Sequence, residues 1–292
     1  MYAGVGLSSK RTPRPRGRSL IALTGALSAC SFVDLGGYSS GAPIVNDGGP
    51  TDDASRPEPG PGEGGATEPE TGASEHPYVL AVRADAPVSW YRFEEDADAN
   101  IARDEISGHD ATVIGGAMGF GAEGIAGRGL ACDGTGSGFD VGDVYDFDGK
   151  TPFTLELWIR PTPTRTEQRL IRKRREGTQL LGYVLYLTPD TNVAFEDWGV
   201  NLSAWTDTPL PIAFTHLVVT VAYAGGTGNA TLWIDGQPQP HGGFDNTANA
   251  PNTNQPLRLV ESFKGSVDEL AIYDRALSAT RILEHYRAGK PK

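Results

Sequence analysis

The chain has only two cysteines and two methionines in 292 residues, and its 25 basic residues are outnumbered by 37 acidic ones. With Cys30 and Cys132 alone, there is no disulfide framework of the kind that staples small exported domains. The deficit of positive charge argues against nucleic acid as a partner, because phosphates need a basic face. No apolar run approaches the ~20 residues that span a bilayer as a helix. Histidines 76, 109, 216, 241 and 285 show no metal spacing, no Cys/His zinc cluster is present, and Gly-x-Ser-x-Gly is missing. Gly119, Gly121 and Gly124 do fit G-x-G-x-x-G, but the following Ile125-Ala-Gly-Arg-Gly will not nucleate the helix that holds a pyrophosphate. Those glycines are assigned to turns and strand crossings.

What is present begins with a basic segment. Lys10, Arg11, Arg14, Arg16 and Arg18 precede an uncharged stretch, Leu20–Leu27, and then Ser28, Ala29 and Cys30. This is the layout of a secretory signal. The LSAC that ends at Cys30 resembles the lipobox of bacterial lipoproteins, which implies acylation of Cys30 and a signal peptide over 1–29. An ordinary signal peptide with a Cys near its cut site is the alternative. The expected location is the cell envelope, with the membrane engaged through the lipid. Ser31 in place of Asp favours the outer membrane if the cell has two. Residues 30–77 are rich in Gly, Pro and acids and have little to bury, so they are expected to form a disordered tether. If Cys30 carries lipid, Cys132 has no partner and reads as a small buried apolar residue.

Residues 78–292 read as one all-β domain. In Thr151–Pro161 the set Phe153, Leu155, Leu157 and Ile159 alternates with Thr154, Glu156, Trp158 and Arg160. Period-two alternation gives one buried and one wetter face, a strand of an antiparallel sheet. Ala86–Glu94, Gly182–Leu187, Phe214–Tyr223, Ala230–Asp235 and Gly265–Tyr273 read as further strands. Asp235-Gly236 suits a tight hairpin. Ser278 should cap a short C-terminal helix to about Tyr286, with Leu277 and Ile282 at the positions of a hydrophobic staple. Thr164–Gly177, the one basic cluster, reads as a solvated loop. A contact for acidic polysaccharide or lipid headgroups is the sharper alternative there.

WYRFEE (90–95), FTLELWIRP (153–161), THLVVTV (215–221), TLWIDGQ (231–237) and GSVDELAIYDRALSATRILEHY (265–286) resemble, in this order, the blocks of bacterial laminin-G-like domains of the concanavalin A-like lectin/glucanase superfamily. The resemblance implies an antiparallel two-sheet jelly-roll sandwich. It also implies a possible structural Ca2+ near the junction of first and last strands, for which Asp268, Glu94 and Asp104 are the positions to test. The glucanases of that superfamily cleave with paired carboxylates in Glu-x-Asp-x-x-Glu or Glu-x-Asp-x-Glu runs, and no such run exists here. Asp268 and Glu269 are adjacent, which on a regular strand sends them to opposite faces.

The expected function is non-catalytic recognition of a glycan, such as a polysaccharide, or of a surface protein. A structural or assembly module without a small ligand is the alternative, and a glycoside hydrolase lacking the usual motif is the third. Sugar sites pair rings that stack on apolar sugar faces with groups that bond hydroxyls. Trp158, flanked by Glu156 and Arg160, is the first candidate. Trp198 and Asn201 are the second, in a stretch that runs from Glu196 to Trp205.

Overall fold

A computed structural model describes residues 75–290, apart from 117, 178–179, 201, 225–226 and 243–252. The expectations for Cys30, the signal, the tether up to residue 74 and Asn201 lie outside the described residues. The described part opens with helix α1 (Pro77–Ala84). Six strands follow: β1 (Ser89–Tyr91), β2 (Ile101–Ala102), β3 (Ala111–Ile114), β4 (Gly119–Glu123), β5 (Arg128–Asp133) and β6 (Gly138–Gly142). The middle of the chain supplies β7 (Phe153–Pro161), β8 (Gln168–Arg175), β9 (Leu181–Leu187), β10 (Val193–Trp198), β11 (Leu202–Trp205) and β12 (Thr215–Ala224). Then come β13 (Thr227–Ile234), β14 (Gln237–Pro238), β15 (His241–Gly242), β16 (Leu257–Leu259), β17 (Lys264–Tyr273) and helix α2 (Ala279–Gly289).

The strands form two antiparallel sheets. One runs β14-β13-β12-β7-β17-β5-β4, with β1 also paired to β17; the other runs β15-β11-β10-β9-β8-β16-β6-β3-β2. The expected sandwich is therefore present. Between the sheets lies a core that includes Phe153, Leu155, Leu157 and Ile159 of β7 facing residues such as Leu185 and Phe195. Cys132 is a free, buried cysteine in that core. Asp235 and Gly236 both take positive φ, 52° and 75°, in the β13–β14 hairpin, as the dipeptide led us to expect. Ser278 caps α2 by accepting from the Arg281 N–H at 3.3 Å.

Helix α1 is not visible as a helix in the sequence, because eight residues with two valines give little periodic signal. Pro77 at its first turn and the His76 side chain, which accepts from the Tyr78 N–H, start it. With α2 it covers the outer side of the first sheet, and the two helices enclose a second core containing Tyr78, Val82, Trp90, Trp158, Val218, Tyr273 and Ile282. The basic segment is also corrected: Gln168–Arg175 is strand β8, inside the second sheet between β9 and β16. Outward arginines alternate there with apolar and buried positions. Lys173 points the other way and is buried, with Nζ donating to Asp143 Oδ1 at 2.5 Å and to the Gln255 carbonyl at 2.8 Å.

The Asp268–Glu269 expectation fails because β17 is not regular. Its register on β7 shifts between Asp268, opposite Trp158, and Ala271, opposite Glu156. Glu269 sits at φ 52° in the bulge so formed. Both carboxylates end on the helix-covered side. Asp268 Oδ2 accepts from the Ile125 N–H at 2.7 Å, and Glu269 Oε2 accepts from Trp90 Nε1 at 2.7 Å.

Candidate functional site

Trp158 and Glu156 do alternate out of the inter-sheet core, but the face they join is dry. Both are fully buried beneath α1 and α2, which the sequence reading did not place there. The Tyr78 ring lies edge-on to Trp158 at 5.9 Å, and Tyr286 stacks on it at 6.2 Å. Arg160, at the margin, donates to Ser266 Oγ and lies over the Phe214 ring. This trio therefore offers no open platform for a sugar.

Glu156 is instead the centre of a buried polar network. Its Oε1 accepts from Tyr78 Oη at 2.9 Å and its Oε2 from Tyr273 Oη at 3.0 Å. His216 Nε2 lies 2.8 Å from Oε1, and His285 Nδ1 lies 3.0 Å from the same oxygen. On the far side of His285, Nε2 is 2.9 Å from Asp85 Oδ2. Burial alone would raise the Glu156 pKa, but the charge of His285 and the bonds from both histidines hold it well below the usual range. Burial would likewise lower the His285 pKa, and the carboxylate of Glu156 outweighs this and raises it. The group joins α1, α2, β7, β12 and β17 and has no opening to solvent at Glu156.

The metal candidates separate as well. Asp104 is saturated by protein donors: Ser89 Oγ at 2.8 Å, the Trp90 N–H at 2.9 Å, the Ile106 N–H at 3.1 Å and Ser107 Oγ. Glu94 and Asp268 both hold the turn between β4 and β5, where Glu94 Oε2 accepts from the Arg128 N–H at 3.1 Å. The positive charge among these acids is Arg92, which donates to Glu269 Oε1 at 3.1 Å, Glu94 Oε1 at 3.2 Å and the Ala126 carbonyl. Burial, and for Glu269 the neighbouring Asp268, push both buried carboxyls up. Asp268, Glu94 and Asp104 thus do not form one ligand set, and among the described residues no group of three acids, cysteines or histidines has metal-binding geometry. The residues present do not fit a shared calcium ion.

The open surface lies on the second sheet. Strand register places its outward side chains in three rows. His241, Trp205, Ala194, Tyr186 and Arg169 form one; Ser203, Glu196, Val184, Arg172, Arg258 and Asp140 the next; Trp198, Gly182 and Arg174 the third. Trp198 and Trp205 are 39% and 41% exposed, the two tryptophans that leave the cores. Trp205 lies opposite Ala194, four residues from Trp198 along β10, so the two indoles stand about 14 Å apart along the strand direction. Between them the small side chains of Ala194 and Ser203 leave two adjoining hollows of about 530 and 220 Å3, which share Glu196 and Ser203.

Glu196 and His241 on this floor are held in place by their neighbours. Glu196 accepts from Trp198 Nε1 at 2.8 Å and from Tyr186 Oη at 3.1 Å, and Arg174 lies 3.5 Å away. The His241 ring stacks parallel to Trp205 at 5.0 Å and is fixed by Asp207. Asp197 points to the opposite side of β10. It is buried, both its oxygens lack a hydrogen-bond partner among the described residues, and burial pushes its pKa up to about 7. Trp198, a candidate from the sequence, lies on this exposed face. Trp205, inside the same stretch but not singled out, and Tyr186 stand beside it; their signal was the alternation of GYVLYL and LSAW combined with the facing of Glu196.

The usual glycoside-hydrolase pair is two carboxyls on one face, about 5–10 Å apart. Glu196, central in the floor, is already bonded twice, and its neighbour Asp197 faces away. The floor can stack rings and bond hydroxyls.

Among solved structures, one of botulinum neurotoxin type C, whose cell entry depends on interaction with two ganglioside molecules, is 12% identical over 73% of this chain and 53% of that one, with a TM-score of 0.53. The ligand-binding domain of botulinum neurotoxin serotype D, solved with N-acetylneuraminic acid, is 14% identical over 71% and 52%, TM-score 0.51. Trypanosoma rangeli sialidase with sialic acid is 17% identical over 68% and 32%, TM-score 0.51. The chain thus spans about half of the toxin domains and a third of the sialidase, and at these identities the likeness is one of fold. No curated protein matches the chain. The Laminin_G_3 family model, described as concanavalin A-like lectin/glucanases superfamily, matches residues 133–283, more than half of the sequence, and the chain belongs to that superfamily.

Proposed function

We propose that this chain is a non-catalytic glycan-recognition protein and that the open face of the second sheet, from Trp198 to Trp205, is its binding surface. One observation carries the reading: two half-exposed indoles on one face of one sheet, flanking hollows floored by small side chains and an anchored carboxylate. A sugar's apolar face stacked on these rings would bury the apolar area they leave exposed. The structural neighbours that engage sialic acid and gangliosides support recognition as the use of the fold. Affinity electrophoresis through a panel of polysaccharide gels tests the reading. Retardation of the wild type that is lost in Trp198→Ala at unchanged Tm supports it; a wild type retarded by none of the gels favours an assembly module.

The same proposal places the protein at the cell envelope. The basic and apolar segments before LSAC support acylation at Cys30, with the outer membrane favoured by Ser31. Cys30→Ala should abolish lipid labelling and release the protein from the membrane fraction. Membrane association without acylation in either form would contradict it.

A further inference from the structure

The rows of the open face carry strong charge, and every outward arginine in them is already paired. Arg172 makes a two-point bond with Glu261, Nε at 2.8 Å and Nη2 at 3.1 Å. Arg258 lies 3.1 Å from Asp140, Arg169 lies 3.0 Å from Glu167, and Arg174 lies between Glu176 at 3.2 Å and Glu196 at 3.5 Å. A carboxylate or sulfate on a sugar would therefore meet no free guanidinium, and would have to displace a pair formed inside the protein. Nearer the tryptophans the balance turns negative: Glu196 on the floor, Asp190 beside the larger hollow, and Asp207 behind His241. An anionic ligand is repelled there. A cationic one finds Glu196 already engaged by Trp198, Tyr186 and Arg174. The indole spacing of about 14 Å further exceeds one sugar ring, so both stack only on a chain of several units.

We propose that the Trp198–Trp205 face binds a linear, uncharged oligosaccharide, several residues long and laid along β10 and β11, and does not bind sialylated or uronic-acid glycans. This rests on the glycan-binding reading of the same face and adds its ligand class. It also sets the chain apart from the toxin domain solved with N-acetylneuraminic acid, despite the shared fold.

Isothermal titration of the full chain tests it, with cellohexaose, mannohexaose and N-acetylchitohexaose as neutral probes, and 3′-sialyllactose and hexagalacturonate as anionic ones. The expected result is binding of at least one neutral hexasaccharide, with affinity steady between about 0.05 and 0.5 M salt. Its disaccharide should bind at least about tenfold more weakly, and Trp198→Ala and Trp205→Ala should each lose about tenfold. Preferential, salt-sensitive binding of hexagalacturonate or sialyllactose that depends on these tryptophans would overturn the ligand class while leaving the site in place. Binding of any probe that is indifferent to both substitutions would overturn the site itself, and so would no binding at all.

Discussion

At the scale of single residues, the strongest claim concerns Glu156. A lone acid on an alternating strand reads as a solvent-facing charge, for which truncation costs little. In the folded chain it is a buried anion with two tyrosine donors and two histidines. Removing one member of such a group leaves the others buried and unpaired, so Glu156→Ala should cost about 3–5 kcal/mol. Leu157→Ala, on the other side of the same strand, should cost about 2–5 kcal/mol. Urea unfolding of the two variants checks this, and a near-neutral Glu156→Ala would show that the network carries no net stability. The titrations give a pH profile. The Glu156 contribution is present above its unfolded value near 4.5 and is lost as pH falls through its depressed folded value. The His285 contribution is full below 6.5 and is lost as pH rises through its raised folded value. Asp197, raised from 3.8 to about 7, adds a cost that grows over that interval. Thermal stability should therefore peak on the acid side of neutrality, at about pH 4.5–6, and decline toward pH 8.

At the scale of elements, legibility followed periodicity. β7, β12, β13 and the capped α2 announce themselves by alternation, by Asp-Gly at a hairpin and by Ser278 before an apolar stripe. Three features did not. α1 is too short to show a period, β8 hides behind five basic residues that alternate only once a sheet is assumed, and the bulge at Glu269 cancels the rule that adjacent residues point apart. The first of these misses explains why Trp158 reads as exposed: α1 was not expected, and α2, though expected, was not placed on that face. The helices are thus structural covers, and the sheet proposed for binding is the other one. Deleting residues 1–84 should unseat Tyr78, Val79 and Val82 and expose Trp158, lowering stability by at least about 3 kcal/mol. Any surviving folded fraction should keep its glycan affinity, because α1 packs on the first sheet. Calorimetry paired with gel retardation on that truncated chain checks both halves.

For the molecule as a whole, the family resemblance in the sequence foresaw the sandwich and left the ligand open, as it must where one fold serves many sites. Its implied calcium is the instructive case. Arg92 occupies the centre of the acidic group near the first and last strands, and Asp104 is spent on turn donors. Thermal midpoints with millimolar calcium and with excess chelator should agree, whereas a rise of several degrees on adding calcium would restore a metal site. The central claim is that recognition takes place on the Trp198–Trp205 face. The five tryptophans make it directly measurable, because each indole N–H gives its own proton–nitrogen resonance. Titrating a neutral hexasaccharide that binds should shift the signals of Trp198 and Trp205, assigned by substitution, and leave Trp90, Trp158 and Trp233 in place. Shifts confined to Trp158 or Trp233, with Trp198 and Trp205 unmoved, would contradict the account.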